Sequence, residues 1–489
     1  MTIAVHYSLV ELVGSRASST DIFYSSDPEQ KEEVSMGAEV NAHSPEPTPQ
    51  EAQATFHLAL QAAKQRQTLA DQGFFNHPRR TCDIEQEIQC LSAQTGMPMS
   101  GEALIASNTL PCARFDTVTS IVEYDAAGIT PLERDALVGL YHSLIQRTRC
   151  MQQVLAASAA EAIIVPIGVQ PLVEANSWQE WIVPQPGMRR RYHLIDAATR
   201  QENPHGVIRI ASPDEQTVFT EVASYMAVMM RCAGTQFHIS ECCVEEALEA
   251  HTISIFITPI MSALFGNSPF VGGIDSGRTS TRIALFLEGE PSRAGLPRPS
   301  NTLYQYYEQQ LSRALPPFVV TDDPQQALTL SHGTIHTTSR IQVDMANATI
   351  RNEFRCIDAQ SPFRSMQAFL LTLGAIDGLR GRTLATYEES RYNLRKAVWG
   401  LHAPMCLQGR ATTALTLAKE LVAIAQTTLQ KKGLGELSRE FLTPLLENEL
   451  EDGRTQADIL RERVKSEVEE GRSFQQAIVE AMRECSTRR

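Results

Sequence analysis

Five stretches of this chain alternate apolar residues with acids, arginines, a histidine or an amide at a spacing of two. That period belongs to β-strands with one apolar and one polar face. In "CDIEQEIQC" the acids Glu85 and Glu87 fall two apart, while Cys82, Ile84, Gln86 and Ile88 take the opposite face. An extended backbone sets the two carboxylates on one side about 7 Å apart, able to share a magnesium ion or to sit over neighbouring ones. "ATIRNEFRCID" repeats the arrangement, with Arg351, Glu353 and Arg355 on one face and Ile350, Asn352, Phe354 and Cys356 on the other. An acid between arginines can ligate a metal and grip phosphate oxygens through forked hydrogen bonds. "TSIVEYDA" holds Glu123 in an otherwise apolar strand, where a carboxylate is costly unless paired or metal-bound. "GTQFHIS" puts Gln236 and His238 on one face, an amide beside a nitrogen ligand. "NSPFVGGIDSGRTSTRIALF" feeds a Gly-rich loop into Arg278, Ser280 and Arg282, a cluster able to hold a substrate carboxylate.

Each stretch also has a plainer reading: a solvated strand edge, cross-strand salt bridges, a structural histidine, a hairpin with exposed arginines. Five together are wasteful unless they face a common hydrophilic cavity. A sheet with one apolar face against helices and one carboxylate-rich face has the form of a metal–nucleotide funnel. The usual phosphate and hydrolase signatures are missing: there is no GxGxxG after a strand, no GxxxxGK[ST], no HExxH, no GxSxG and no zinc-type Cys/His pairing. Phosphates would therefore be held by divalent cations on carboxylates, with arginines as anion clamps.

The formal net charge of −14 over 489 residues argues against nucleic acid as a partner. That acidity is concentrated near the ends. Residues 21–51 carry eight acids and one base, and residues 440–472 ten acids and five bases, so the charge does not oppose a metal-bridged nucleotide in the centre. Residues 1–48 read as a disordered acidic extension, and the first residues lack the basic start and cleavage site of a secretory signal. Thr48, Pro49 and Glu51 form helix-start chemistry for a helix over about 49–70, and Thr130, Pro131 and Glu133 for a second one. Strands are expected in "TGMPMSGEALI", "AIIVPIGVQP" and "TSTRIALFLEG", and a helical, charged region broken at Gly433, Gly453 and Gly471 from about 408. The apolar run 251–266 falls short of the roughly 18–20 residues of a membrane span. Ten scattered cysteines without a CxxC pair fit reduced thiols of a cytoplasmic protein.

The order of these motifs resembles the glutamate–cysteine ligase family, in its carboxylate–amine ligase branch. "DIEQEIQCLSAQTGMPMSGEALI" is similar to the family's opening Glu-x-Glu strand, "SIVEYDAAG" to the next acidic strand, and "GTQFHIS" to the central strand with a metal-binding His. "NSPFVGGIDSGRTSTR" is similar to the Asn-Ser-Pro-Phe loop that ends in an arginine, here Arg282. "IRNEFRCIDA" is similar to the Glu-x-Arg-x-x-Asp strand, here Glu353, Arg355 and Asp358, with "ESRYNLRKAVWGLHAPM" and "LEDGRTQADIL" as the helical pieces that follow. Asp83 stands where the family often has glycine, and Gln236 where many members have another His. The resemblance covers residues 81–465.

It implies an α+β fold, a curved, mainly antiparallel sheet forming an active-site funnel backed by helices, glutamine-synthetase-like. It implies ATP and Mg²⁺ as cofactors and small-molecule substrates, with no nucleic acid or membrane partner and room for a homo-oligomer. By the same resemblance Glu85, Glu87, Glu123, His238 and Glu353 would hold magnesium. Arg355, Gln236 and Glu353 would bind the nucleotide, and Arg282, Arg278 and Glu123 the donor substrate. Arg355 and Arg282 would serve the transferring phosphoryl group and the acyl phosphate. Residues 1–80 have no counterpart in the resemblance, and 49–80 read from their own helix signals as a helical arm; 81–407 become the catalytic ligase domain and 408–489 a C-terminal helical segment. The implied activity joins the γ-carboxylate of glutamate to the amine of cysteine. The alternatives are the same chemistry on another acid or amine, or a nucleotide-binding relative without catalysis.

Overall fold

A computed structural model describes residues 48–107, 113–116, 118–126, 128–157, 161–172, 192–193, 195–197, 199–200, 207–222, 230–289, 293–313 and 320–487. The acidic extension and the N-terminal segment weighed against a secretory signal lie outside the described residues, Thr48 excepted. Eight strands make the central sheet: β1 (Thr81–Ser92), β2 (Arg114–Phe115), β3 (Ile121–Asp125), β4 (Thr130–Pro131), β5 (Ala162–Val165), β6 (Gly234–Glu241), β7 (Ser339–Asp344) and β8 (Thr349–Asp358). The helices that matter to the argument are α1 (Pro49–Asp71), α2 (Arg134–Ala157), α3 (Val244–Leu264), α4 (Thr281–Gly289), α5 (Leu303–Leu311), α6 (Pro324–His332), α7 (Pro362–Leu379) and α8 (Ala414–Lys431).

The sheet runs β7-β8-β6-β1-β3-β2, with β4 and β5 also on β1, and all of these pairings are antiparallel. It curls into a half-barrel backed by helices, the form expected from the sequence. The period-two alternation explains why. Ile84, Ile88, Val122, Tyr124, Phe237, Ile239 and Phe354 are buried on one face. There Phe237 stacks on Phe354 at 6.4 Å and meets Phe369 of α7 edge-on at 5.7 Å. Each ring so buried contributes roughly 1.5–3 kcal/mol, and a one-residue slip would exchange this face for the charged one.

α1 begins with the expected capping box: the Glu51 N–H donates to the Thr48 hydroxyl at 3.3 Å, and the Thr48 N–H to the Glu51 carboxylate at 2.8 Å. Ala59, Ala62 and Ala63 of α1 pack in one cluster with Leu303 and Tyr307 of α5 and Leu328 of α6. The apolar run 251–266 belongs to α3, which at 21 residues is long and apolar enough to cross a membrane by length and composition, yet 83% of its most apolar window is buried inside the protein. Gly433, Gly453 and Gly471 do separate the C-terminal helices, each with a positive φ (77°, 68° and 95°) that favours glycine.

Three local expectations are corrected. Thr130 and Pro131 do not open a helix, because they pair with Cys82 and Thr81 of β1; α2 starts only at Arg134. "TSTRIALFLEG" is helix α4 rather than a strand, with the Ser280 hydroxyl accepting the Ile283 N–H at 3.3 Å in its first turn. Within "TGMPMSGEALI", Glu102–Ala106 is a short helix.

Two histidines sit under the β7 edge. His251 stacks edge-on against Tyr306, and the Tyr306 hydroxyl, which accepts the Ile341 N–H at 2.8 Å, lies 3.0 Å from His332 Nε2. Burial pushes both imidazoles down to about 3, helped at His332 by Arg340 and Arg66. The unfolded chain takes up protons at these sites near pH 6.5 while the folded chain cannot. The stability due to the neutral rings is therefore full above about pH 6.5 and is lost as pH falls toward 3. Melting temperature followed from pH 7 to 4 should fall less steeply in His332→Gln than in the parent; equal slopes would refute this role.

Candidate active site

Directly opposed residues of antiparallel strands share a face, so the register assembles the polar side of the sheet into rows. Glu87 lies opposite Glu123, and Glu85 opposite both Asp125 and Gln236. His238 lies opposite Asp83 and Glu353, and Glu353 opposite Arg340. The face is thereby split: β1 and β3 carry acids, β7 and β8 carry arginines, and His238 stands between them.

In the acidic half, Gly234 N–H and the Gln236 amide each donate to Glu87 at 2.6 Å. His238 Nε2 is 3.4 Å from Glu85. Arg114 pairs with Glu123 and approaches Glu85 at 3.6 Å and Asp125 at 3.5 Å. Burial, then Asp116 and Glu85, push the Glu87 carboxyl up to about 8, against Arg282 and Arg355. Burial also raises Glu123 well above the carboxylate range, with Glu85, Asp116 and Glu87 adding to it and Arg114 opposing. Burial would raise Glu85 too, but the hydrogen bond and charge of His238, with Arg114, hold it down to about 2. In the basic half, Arg340 reaches Glu353 at 2.5 Å, Arg355 reaches it at 3.2 Å, and Arg351 donates to Gln342 at 2.9 Å. Arg340 and Arg355, with His238, outweigh burial and keep Glu353 well below the usual range.

A buried frame supports Arg355. The β8 register shifts between Phe354 and Ile357, leaving carbonyls turned out of the ladder. Arg282 Nη1 donates to the carbonyls of Arg355 at 3.0 Å and Ile357 at 3.3 Å. Asp358 accepts from Asn267 N–H at 3.0 Å, Ser268 hydroxyl at 2.7 Å and Ser280 hydroxyl at 2.9 Å. The Asn-Ser-Pro-Phe loop is thus tied to the end of β8, with the start of α4 and its arginine beneath the bulge. Gly234 leaves room for this: a Cβ there would meet Arg282 Nη2 at 2.5 Å.

Glu85, Glu87, Glu123, Gln236, His238 and Glu353, all singled out from the sequence, share this face through the register, and Arg355, also singled out, meets Glu353 from the bulge at 3.2 Å. Arg282 joins them from helix α4 rather than from a strand. Among the described residues Arg278 pairs with Glu288 at 2.8 Å and stacks on Trp399 at 5.5 Å, not with the acids. Sequence reasoning passed over Arg114, Arg340, Gln342, Asp116 and Asp125. Arg340 and Gln342 carry the period-two signal in "SRIQVD", whereas Arg114 lies in a two-residue strand too short to show one.

Among the described residues no group of three Asp, Glu, His or Cys side chains forms a ready metal cage. Arg114, Gln236, Arg340 and Gln342 engage the carboxylate oxygens instead. The residues still fit magnesium. They are hard oxygen donors crowded enough that Glu87 and Glu123 resist ionising, and His238 Nδ1 is buried without a hydrogen-bond partner among the described residues. Magnesium keeps several waters and takes one or two carboxylates together with phosphate oxygens, so it needs no closed protein cage.

The family model described as Glutamate-cysteine ligase family 2 matches residues 126–485. The chain is similar to the solved glutamate–cysteine ligase of Francisella tularensis in complex with AMP, at 11% identity and a TM-score of 0.53, covering 84% of this chain and 89% of that one. It is also similar to a bifunctional glutathione synthetase from Pasteurella multocida, at 13% identity and a TM-score of 0.51, covering 86% of this chain and 54% of that one. The chain therefore spans about half the length of that second protein. No curated protein matches it in sequence. The shared architecture is the glutamine-synthetase-like fold.

Proposed function

Because the chain belongs to glutamate-cysteine ligase family 2 and is thereby an ATP-dependent carbon–nitrogen ligase, we propose that it joins the γ-carboxylate of glutamate to the amine of cysteine through an acyl phosphate. The observation that carries this reading is the divided face, with opposed carboxylates Glu87 and Glu123 on one side and Arg340 and Arg355 around Glu353 on the other. It is a surface for a polyanion that arrives with cations. Glu85, Glu87, Glu123, His238 and Glu353 would hold magnesium, and bound magnesium would supply neutralisation of the triphosphate.

The protein's own residues orient. Arg355, held by Glu353 and by the Arg282-braced bulge, meets the transferring phosphoryl group, with Gln236 and Glu353 beside the nucleotide. Arg282, Arg278 and Glu123 are proposed to receive the donor acid. A carboxylate oxygen of the donor attacks the γ-phosphorus and ADP leaves; the amine nitrogen then attacks the acyl carbon, phosphate leaves and the nitrogen gives up a proton. No nucleophilic side chain is required, since phosphorylation itself makes the acyl donor. Residues 81–407 are proposed as the ligase domain, because every one of these groups lies between Glu85 and Arg355. The helical arm, the C-terminal segment and a cytoplasmic location free of nucleic-acid and membrane partners belong to the same proposal.

Purified protein given ATP, Mg²⁺, glutamate and a panel of amino acids should release phosphate with cysteine. Release with another amine or acid would keep the chemistry and change the substrate. Stabilisation by Mg-ATP without release in any combination would favour a non-catalytic relative. Gly234→Ala, by driving Arg282 from the carbonyls it holds, should cost about 10²-fold in kcat/KM with little change in KM for ATP. Unchanged turnover would remove Arg282 from the supporting frame.

A further inference from the structure

Arg114 has no part in the proposed reaction, yet it touches three acids of the acidic half. Its strand, β2, has two residues, and the register sets Arg114 opposite Glu123. One guanidinium spans acids of two strands: Nη2 binds Glu123 and lies 3.6 Å from Glu85, and Nη1 lies 3.5 Å from Asp125. The acids are recessed and the arginine is not, since the side chains of Glu85 and Glu123 are 12% and 11% exposed against 43% for Arg114. It covers them from the solvent side. The contrast is Arg340, 10% exposed on a Glu353 that is 1% exposed, which is built into the sheet.

We propose that Arg114 is a resident counter-cation, occupying the place on Glu85, Glu123 and Asp125 that a divalent cation takes on loading, and swinging out to solvent when one arrives. The proposal rests on the ligase reading above and adds to it that the protein's own arginine sets how tightly the cation is held. Without a cation, two directly opposed carboxylates and their neighbours would face each other across β1 and β3, an arrangement that repels. Arg114 relieves that repulsion from a two-residue strand with a side chain 43% exposed, a placement from which it can turn toward solvent. It must also lower the apparent cation affinity, since any divalent ion has to displace it. Cation and nucleotide should therefore bind best together, the phosphates supplying oxygens that compensate for the lost ion pairs.

The test is Mn²⁺ binding to the full chain without turnover, by electron paramagnetic resonance of the free ion, for the parent, Arg114→Gln and Arg114→Lys. Arg114→Gln should bind Mn²⁺ about tenfold tighter in the absence of nucleotide, with Arg114→Lys close to the parent. Its melting temperature should drop in cation-free buffer and recover on adding Mn²⁺. Unchanged or weaker Mn²⁺ binding in Arg114→Gln, beside a parent that binds, would overturn this proposal and leave the ligase reading standing. So would loss of nucleotide affinity with unchanged cation affinity, which would make Arg114 a phosphate clamp. A parent that binds no Mn²⁺ even with ATP would overturn the ligase reading as well. Should Arg114→Gln fail to fold in the absence of cation, Arg114→Ala folded in Mn²⁺ and then titrated with chelator gives the same comparison, with slower release than the parent expected.

Discussion

Replacing Glu85 with Gln is expected to cut ATP-dependent phosphate release by at least about 10²–10³-fold while leaving the fold intact, the scale on which removal of one electrostatic contact to a transition state is felt. Glu85 lies in a row with Gln236 and Asp125 and within 3.4 Å of His238. Its carboxyl is held well below the usual range, at about 2, while burial raises those of Glu87 and Glu123. The amide keeps the shape and removes the charge. Because His238 and Arg114 favour the charged Glu85 carboxylate, its neutralisation gives up net favourable electrostatics, and the melting temperature at neutral pH should fall modestly while the protein stays folded. Turnover within tenfold of the parent would remove Glu85 from the cation-holding set.

Arg355→Lys should be nearly as damaging, losing about 10²–10³-fold in kcat although the charge survives. Arginine presents a planar fork that matches phosphoryl oxygens, and lysine a single rotatable point charge. Arg355 is placed with care: its Nε is 3.2 Å from Glu353, its own N–H donates to Thr338 at 2.8 Å, and Arg282 holds its carbonyl. That precision has no use if the side chain only neutralises Glu353, a task lysine could share. A lysine variant with near-parental kcat would reduce Arg355 to that task, and the measured split between kcat and KM would tell the two apart.

The acidic half was legible because its signal is local. A spacing of two puts Glu85 with Glu87, and Gln236 with His238, on one face without any knowledge of partners, and the same holds for Arg351, Glu353 and Arg355. What the sequence withholds is register. That Glu87 faces Glu123, or that Glu353 sits between His238 and Arg340, depends on pairing between strands more than a hundred residues apart in places, and no spacing encodes it. Arg114 was lost for a related reason, since its strand is shorter than one period. Arg282 was found for the wrong reason: the spacing Arg278, Ser280, Arg282 runs through a loop into a helix, and the arginine reaches the site from beneath. The early start assigned to α2 failed similarly, because good capping chemistry at Thr130 was overridden by pairing to β1. Local propensity was sound wherever packing did not compete with it, as at the Thr48 cap of α1.

The central claim is that a carboxylate is activated by accepting a phosphoryl group on this face. Its most direct measurement follows ¹⁸O from the donor carboxylate during amide formation, with glutamate labelled in both γ-oxygens and the products read by mass spectrometry. The account predicts one ¹⁸O in the released inorganic phosphate and none in the nucleotide. Label in AMP, or amide formed with unlabelled phosphate, would contradict it.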